Sequence, residues 1–428
     1  MRSPAPSPGT IGLTVLVVGV VLALLPGWLL PERWFGPDAT AGPATIPARF
    51  ADYSYLTGSV SASPPGRAVA VYQHGFGVEL MDFPQAVVAG ADGEGYRRLD
   101  AAEGRGLVGD AGPMLLSPDG TRVAVGRWQT AWPDVVVVDL ATGRSTRHVV
   151  PGAGSAFALA WSPDSTLLAY ARTEEAADPW GAGSGELGLL DLTTGEARVL
   201  PDHPDVMAAA FSPDGTELAV HRAARDADRS GVLEVLDRDG AVLRTLPFPD
   251  HHVLDGPWSP DGRLLAVTAP GGQGRPHGTA FVDAAGTGAP VPAPVPGTAI
   301  GWDGLLGWTS AGEALFLDTP DDPETADTDL YWLTAVPLDG GEPQRLSAVP
   351  GGGNYGVAGF QLATGLLPEA QVRDTDVVTR GLWPTGLRLA VAAVCAAIAT
   401  TVAGRLVRRT PERSGRTSRS PVATPGTR

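Results

Sequence analysis

Two look-alike stretches carry three of the seven histidines in this 428-residue chain: PDHPDV at 201–206 and PDHHVLDG at 249–256. Imidazoles and carboxylates close together are a donor set for a metal or a small polar ligand. His203, Asp205, His251, His252 and Asp255 could therefore form one site, provided the fold brings both stretches together. The same residue types also form exposed turns, and a plain loop is the competing reading. A second cluster lies in DTPDDPETADTD at 318–329. Asp321, Asp322, Glu324, Asp327 and Asp329 offer the oxygen ligands that calcium takes. Their spacing matches no EF-hand loop and the turn glycine is missing, so a solvated loop explains them equally well.

Other chemistry is hard to find. GAGSG at 181–185 has Ala182 where a nucleophile elbow needs glycine. There is no P-loop, dinucleotide fingerprint or zinc spacing. No catalytic residue is assigned and no cofactor is expected. Cys395 is the only cysteine, so no intrachain disulfide can form, and it reads as a small apolar residue of a hydrophobic segment.

The elements that would position the histidine stretches are announced by a repeat. LSPDGTRVAVG (116–126), WSPDSTLLAYA (161–171), FSPDGTELAVH (211–221) and WSPDGRLLAVTA (258–269) share one turn and one apolar run. Proline presets φ for the second turn position, and glycine takes the positive φ that follows. Ser165 stands in for that glycine in the second copy, which predicts strain there. Weaker copies begin at Ser63 (SPPG) and Thr309 (TSAG), giving intervals of 54, 45, 50, 47 and 50 residues. Each interval holds a second hairpin with a tip such as DLATG (139–143) or DLTTG (191–195). Each unit is thus four strands in about fifty residues. Such a sheet cannot bury both faces alone, whereas a radial ring of them can.

The S-P-D-G-x-x-[LV]-A-[VY] run, the aromatic before its serine and the later D-x-x-[TD]-G turn resemble the TolB-type, WD-repeat-like propeller repeat. The resemblance implies an all-β, six-bladed β-propeller over 50–350, with seven blades as the alternative. Residues 351–386 would close the ring with 45–60 or begin a seventh blade. It also implies that Trp161, Trp258, Asp119 and Asp214 are structural. In such a ring the loops carrying His203 and His252 precede innermost strands and face the channel mouth. TolB-like proteins imply protein–protein contact in the cell envelope.

Two apolar segments frame this domain. Residues 11–30 carry no charge and are long enough, at about 30 Å, to cross a bilayer. Residues 387–407 form a second, shorter candidate, with Arg388 and Arg405 at its ends. The tail 408–428 is basic, polar and expected to be disordered. Arginine-rich flanks stay inside, and Trp28, Trp34, Phe35 and Trp383 would line the outer interface. Both termini, 1–10 included, are then cytoplasmic, 31–49 is a linker, and 31–386 lies outside the plasma membrane. A cleaved signal peptide ending near Ala41 is the alternative. Residues 31–386 carry 22 Arg against 46 Asp and Glu, a net of −24. That charge turns away nucleic acid. Lysine is absent and Asn354 is the sole asparagine, a bias of GC-rich genomes such as those of actinobacteria. The expected role is binding of an envelope protein, peptide or glycan. A propeller hydrolase or lyase, or an envelope sensor, are the alternatives, and the oligomeric state is left open.

Overall fold

One serine hydroxyl organises each strong repeat. In the computed structural model of the chain, Ser117, Ser162, Ser212 and Ser259 are buried. Each donates to the aspartate two residues on, at 2.6, 2.5, 2.7 and 2.6 Å. Each also accepts the backbone N–H five residues on, at 2.8–2.9 Å. The aspartates in turn accept the N–H at the start of the returning strand. Backbone bonds such as Gly120 N–H to Ser117 O close the same turn, so every partner lies within a few residues and the motif can be copied. Gly120, Gly215 and Gly262 take φ of 69–73°. Ser165 takes φ of 58°, the left-handed strain its sequence predicts.

The structure describes residues 42–382 except 53, 55–56, 75–84, 108–109, 129–131, 175–183, 224–230, 248–251, 270–277, 297–303, 319–329, 352–356 and 376. It also describes 389–390, 393–394, 397–398 and 401–402. The chain divides into two compact units, Pro31–Pro384 and Met1–Leu30 with Thr385–Arg428.

The larger unit is a six-bladed β-propeller. From innermost to outermost strand, blade two is Met114–Leu116, Arg122–Val125, Asp134–Asp139 and Ser145–Val149. Blade three is Ser155–Trp161, Leu167–Thr173, Glu186–Asp191 and Ala197–Val199. Blade four is Val206–Phe211, Glu217–Arg222, Val232–Asp237 and Val242–Leu246. Blade five has Val253–Leu254, Leu264–Ala269 and Gly278–Asp283, with a single bridge from Thr279 to Val295 in place of a fourth strand. Blade six is Gly307–Trp308, Ala314–Asp318, Leu330–Val336 and Gln344–Pro350.

Blade one corrects part of the sequence reading. Its innermost strand is Val357–Leu362, from the far end of the chain, paired antiparallel with Ala68–His74. Gln85–Gly90 and Tyr96–Arg98 complete it. The SPPG segment at 63–66 is therefore not a turn between two strands of one blade. Gly66 N–H instead donates to Leu140 O of blade two at 3.0 Å. Residues 45–60 do meet the closing segment 351–386 as expected, though not through its innermost strand. Thr45–Pro47 runs parallel to Gln371–Arg373, and Phe50 N–H donates to Ala348 O of blade six. No seventh blade forms among the described residues.

An apolar cluster fills each junction between neighbouring blades, so every sheet buries both faces. Trp161 and Trp258, the aromatics before two SPD turns, are buried in these junctions. Trp161 Nε1 donates to Leu115 O of blade two at 3.0 Å. Outer strands add polar locks to the next blade's turn: Arg198 to Arg238 O and Arg244 to Ala284 O. The ring is thus held by apolar burial inside and cross-blade hydrogen bonds outside.

The predicted membrane segment 11–30 lies outside the described residues. Of 387–407 only four residue pairs are described, all helical. Among the described residues, no helix is long and apolar enough to cross a membrane.

Candidate functional site

The loop 200–205 joins the outermost strand of blade three to the innermost strand of blade four. Proline at 201 and 204 fixes φ at two positions. Asp202 and Asp205 adopt φ of 69° and 60°, a left-handed conformation that aspartate tolerates better than most residues, at a cost on the order of 1 kcal/mol each. Backbone hydrogen bonds hold it in that shape. Leu200 N–H donates to Leu187 O, Leu187 N–H to His203 O, and Ala223 N–H to Asp205 O, at 2.8–3.1 Å. Gly185 and Val206 exchange both of theirs.

A cavity of about 600 Å³ opens over this loop. Its other walls are Glu186 and Val199 of blade three, and Arg222 and Ala223 at the end of the second strand of blade four. Glu186 accepts a hydrogen bond from Arg172 Nη2. Arg222 grips Glu234 through two nitrogens, both at 3.0 Å. Such bidentate pairs hold the guanidinium in one orientation. His221, next to Arg222, is buried, and that burial lowers its pKa to about 4. It is neutral at pH 7 and adds no charge here.

Of the residues singled out from sequence, His203 and Asp205 line the cavity. His203 is only 5% exposed, and its Nε2 lies 2.7 Å from Gly240 O of blade four. A carbonyl only accepts, so Nε2 carries the hydrogen and Nδ1 is an acceptor in the neutral ring. Among the described residues Nδ1 has no hydrogen-bond partner. His203 therefore ties two blades together as well as lining the cavity.

Asp255 lies elsewhere. It accepts from Thr268 Oγ1 at 2.6 Å within blade five. A Cβ at Gly304 would strike its carboxylate, so it is packed against the approach to blade six. Neither Asp255 nor the half-buried His252 is among the cavity's lining residues. His251 and the acidic residues Asp321, Asp322, Glu324, Asp327 and Asp329 lie outside the described residues. Among the described residues, no group of three or more His, Cys, Asp and Glu side chains is placed to hold a metal.

The sequence reading aimed these loops at the central channel. No residue of an innermost strand lines the cavity, which belongs instead to the junction of blades three and four. Glu186 and Arg222 went unnoticed because each is one ordinary residue at a strand end. Their one local signal is position, since each flanks a long connection between the second and third strands of its blade.

No protein-family model and no curated protein matches the sequence. Among solved structures, TolB from Acinetobacter baumannii is similar at 18% identity and a TM-score of 0.48, over 69% of this chain and 67% of that one. The putative TolB from Agrobacterium tumefaciens is similar at 16% identity and 0.38, over 69% and 99%. An oligogalacturonate lyase in complex with manganese is similar at 17% identity and 0.39, over 72% and 86%. The chain itself is a six-bladed β-propeller by its own strand pairing.

Proposed function

We propose that this chain is a membrane-tethered propeller that displays a binding platform outside the plasma membrane. Its partner would be an envelope protein, peptide or glycan. The observation that carries the reading is the cavity between blades three and four. Its walls come from two interlocked sheets and a loop whose backbone is held by five hydrogen bonds. A site that need not reorganise loses little entropy when it is filled. Support for the tether comes from the two apolar segments and from the arginine-rich tail.

Site-specific photo-crosslinking in cells tests the platform. A photoreactive residue is placed at Ala223, on the cavity wall, or at Thr194, in the third-to-fourth-strand turn of blade three. A discrete adduct is expected from position 223 and none from 194. Absence of an adduct at 223, or the same adducts from both, contradicts the reading.

A further inference from the structure

Blade five stops at three strands where the other blades have a fourth. After the turn at 284–288, the run APVPAPVP at 289–296 takes the place of that strand. The rings of Pro290, Pro292, Pro294 and Pro296 fix φ. Ala289, Val291, Ala293 and Val295 each precede a proline, which keeps them out of the helical region. The sequence by itself thus favours an extended run.

Its hold on the blade is slight. Val295 and Thr279 exchange both their backbone hydrogen bonds, at 2.8 and 2.9 Å. Among the described residues, 290–294 make no backbone hydrogen bond. Pro290, Val291, Ala293, Pro294 and Pro296 are exposed, Val291 at 41%.

Other blade edges are closed differently. Along blade six, Phe50 N–H donates to Ala348 O and Ala348 N–H to Ala48 O. Along blade one, Tyr96 N–H donates to Thr379 O and Thr379 N–H to Glu94 O. Phe50 and Thr379 are buried. Those edges are covered by bonded, buried chain, whereas 290–294 stands off in water. A plain edge guard would account for the prolines' missing N–H groups. It does not account for an uncharged apolar run held out from a strongly acidic propeller.

We propose that 289–296 is a docking peptide for a partner polypeptide with an aromatic-lined groove. Proline rings pack on Trp and Tyr rings, and the run's carbonyls accept from their N–H and O–H groups. A run that is already extended loses little entropy on binding. With no charge along it, the run offers ring packing rather than ion pairing. This surface belongs to blade five and goes beyond the cavity between blades three and four.

A photoreactive residue placed at Ala293 of the full chain tests this, in cells and in their extracts. A discrete adduct with a second protein is expected. It should be lost in the double variant Pro292→Ala, Pro294→Ala. In extracts with the natural prolines, it should be lost on adding acetyl-APVPAPVP-amide and kept on adding acetyl-AAVAAAVA-amide. Peptide competition needs no variant, so it decides the matter even where the double variant unfolds. The captured protein, once purified, should change its Trp or Tyr fluorescence on titration with the proline peptide and not with the alanine one. Five results overturn the proposal: no adduct, an adduct of two copies of this chain, equal competition by both peptides, an adduct that survives in a folded double variant, or unchanged fluorescence.

Discussion

At the scale of single residues, hydrogen bonds and burial push carboxylates in opposite directions. The Asp214 carboxylate receives the Ser212 hydroxyl and two bonds from Thr216, which hold its pKa down at about 2. Glu103 shows the reverse. Burial raises it to about 7, against the pull of Arg98 at 3.6 Å and with a push from Asp100. Its Oε1 is buried without a partner among the described residues. A carboxyl whose folded pKa lies above its unfolded value stabilises the fold at low pH. That contribution fades as pH rises from about 4.5 through 7. Glu103→Gln should therefore leave stability unchanged near pH 4 and raise it above pH 7 by on the order of 1–2 kcal/mol. Urea unfolding across that range reads the effect, and a variant less stable at pH 8 would refute it. Residue roles were legible where partners are close in sequence. The serine-to-aspartate turns span two residues and were readable at once. His203 was not, because its partner Gly240 is 37 residues away on the next blade.

At the scale of elements, the ring depends on the strand Val357–Leu362, which reaches back to Ala68–His74. Phe360 anchors it. The ring is 2% exposed and sits 5.5 Å from Phe50 and 5.6 Å from Tyr72, centre to centre. Phe360→Ala should cost about 3–5 kcal/mol in urea unfolding, the usual range for a buried aromatic. A loss below about 1 kcal/mol would show that the closing strand does not hold the ring. This closure also explains the misreading of SPPG at 63–66. The run after it, RAVAVY, is a true second strand, but its first strand comes from almost 300 residues later. Local patterning could supply the strand and not its neighbour. The four strong repeats were legible because turn and both strands are contiguous there.

At the scale of the whole molecule, the expectation is an acidic propeller held outside the membrane by a segment at each end. Residues 31–386 carry a net of −24, and residues from 387 onward carry +7. On the proposed topology this asymmetry would orient the chain, with the arginines kept inside. Orientation is the claim on which the rest hangs, since a platform for envelope partners must face them. The chain's single cysteine makes the test direct. In a Cys395→Ala background, Ala223→Cys and Ser418→Cys are each expressed in cells and treated with a membrane-impermeant maleimide. Position 223 should label in intact cells, and position 418 only after the membrane is permeabilised. Labelling of 418 in intact cells with 223 protected until permeabilisation would contradict the account.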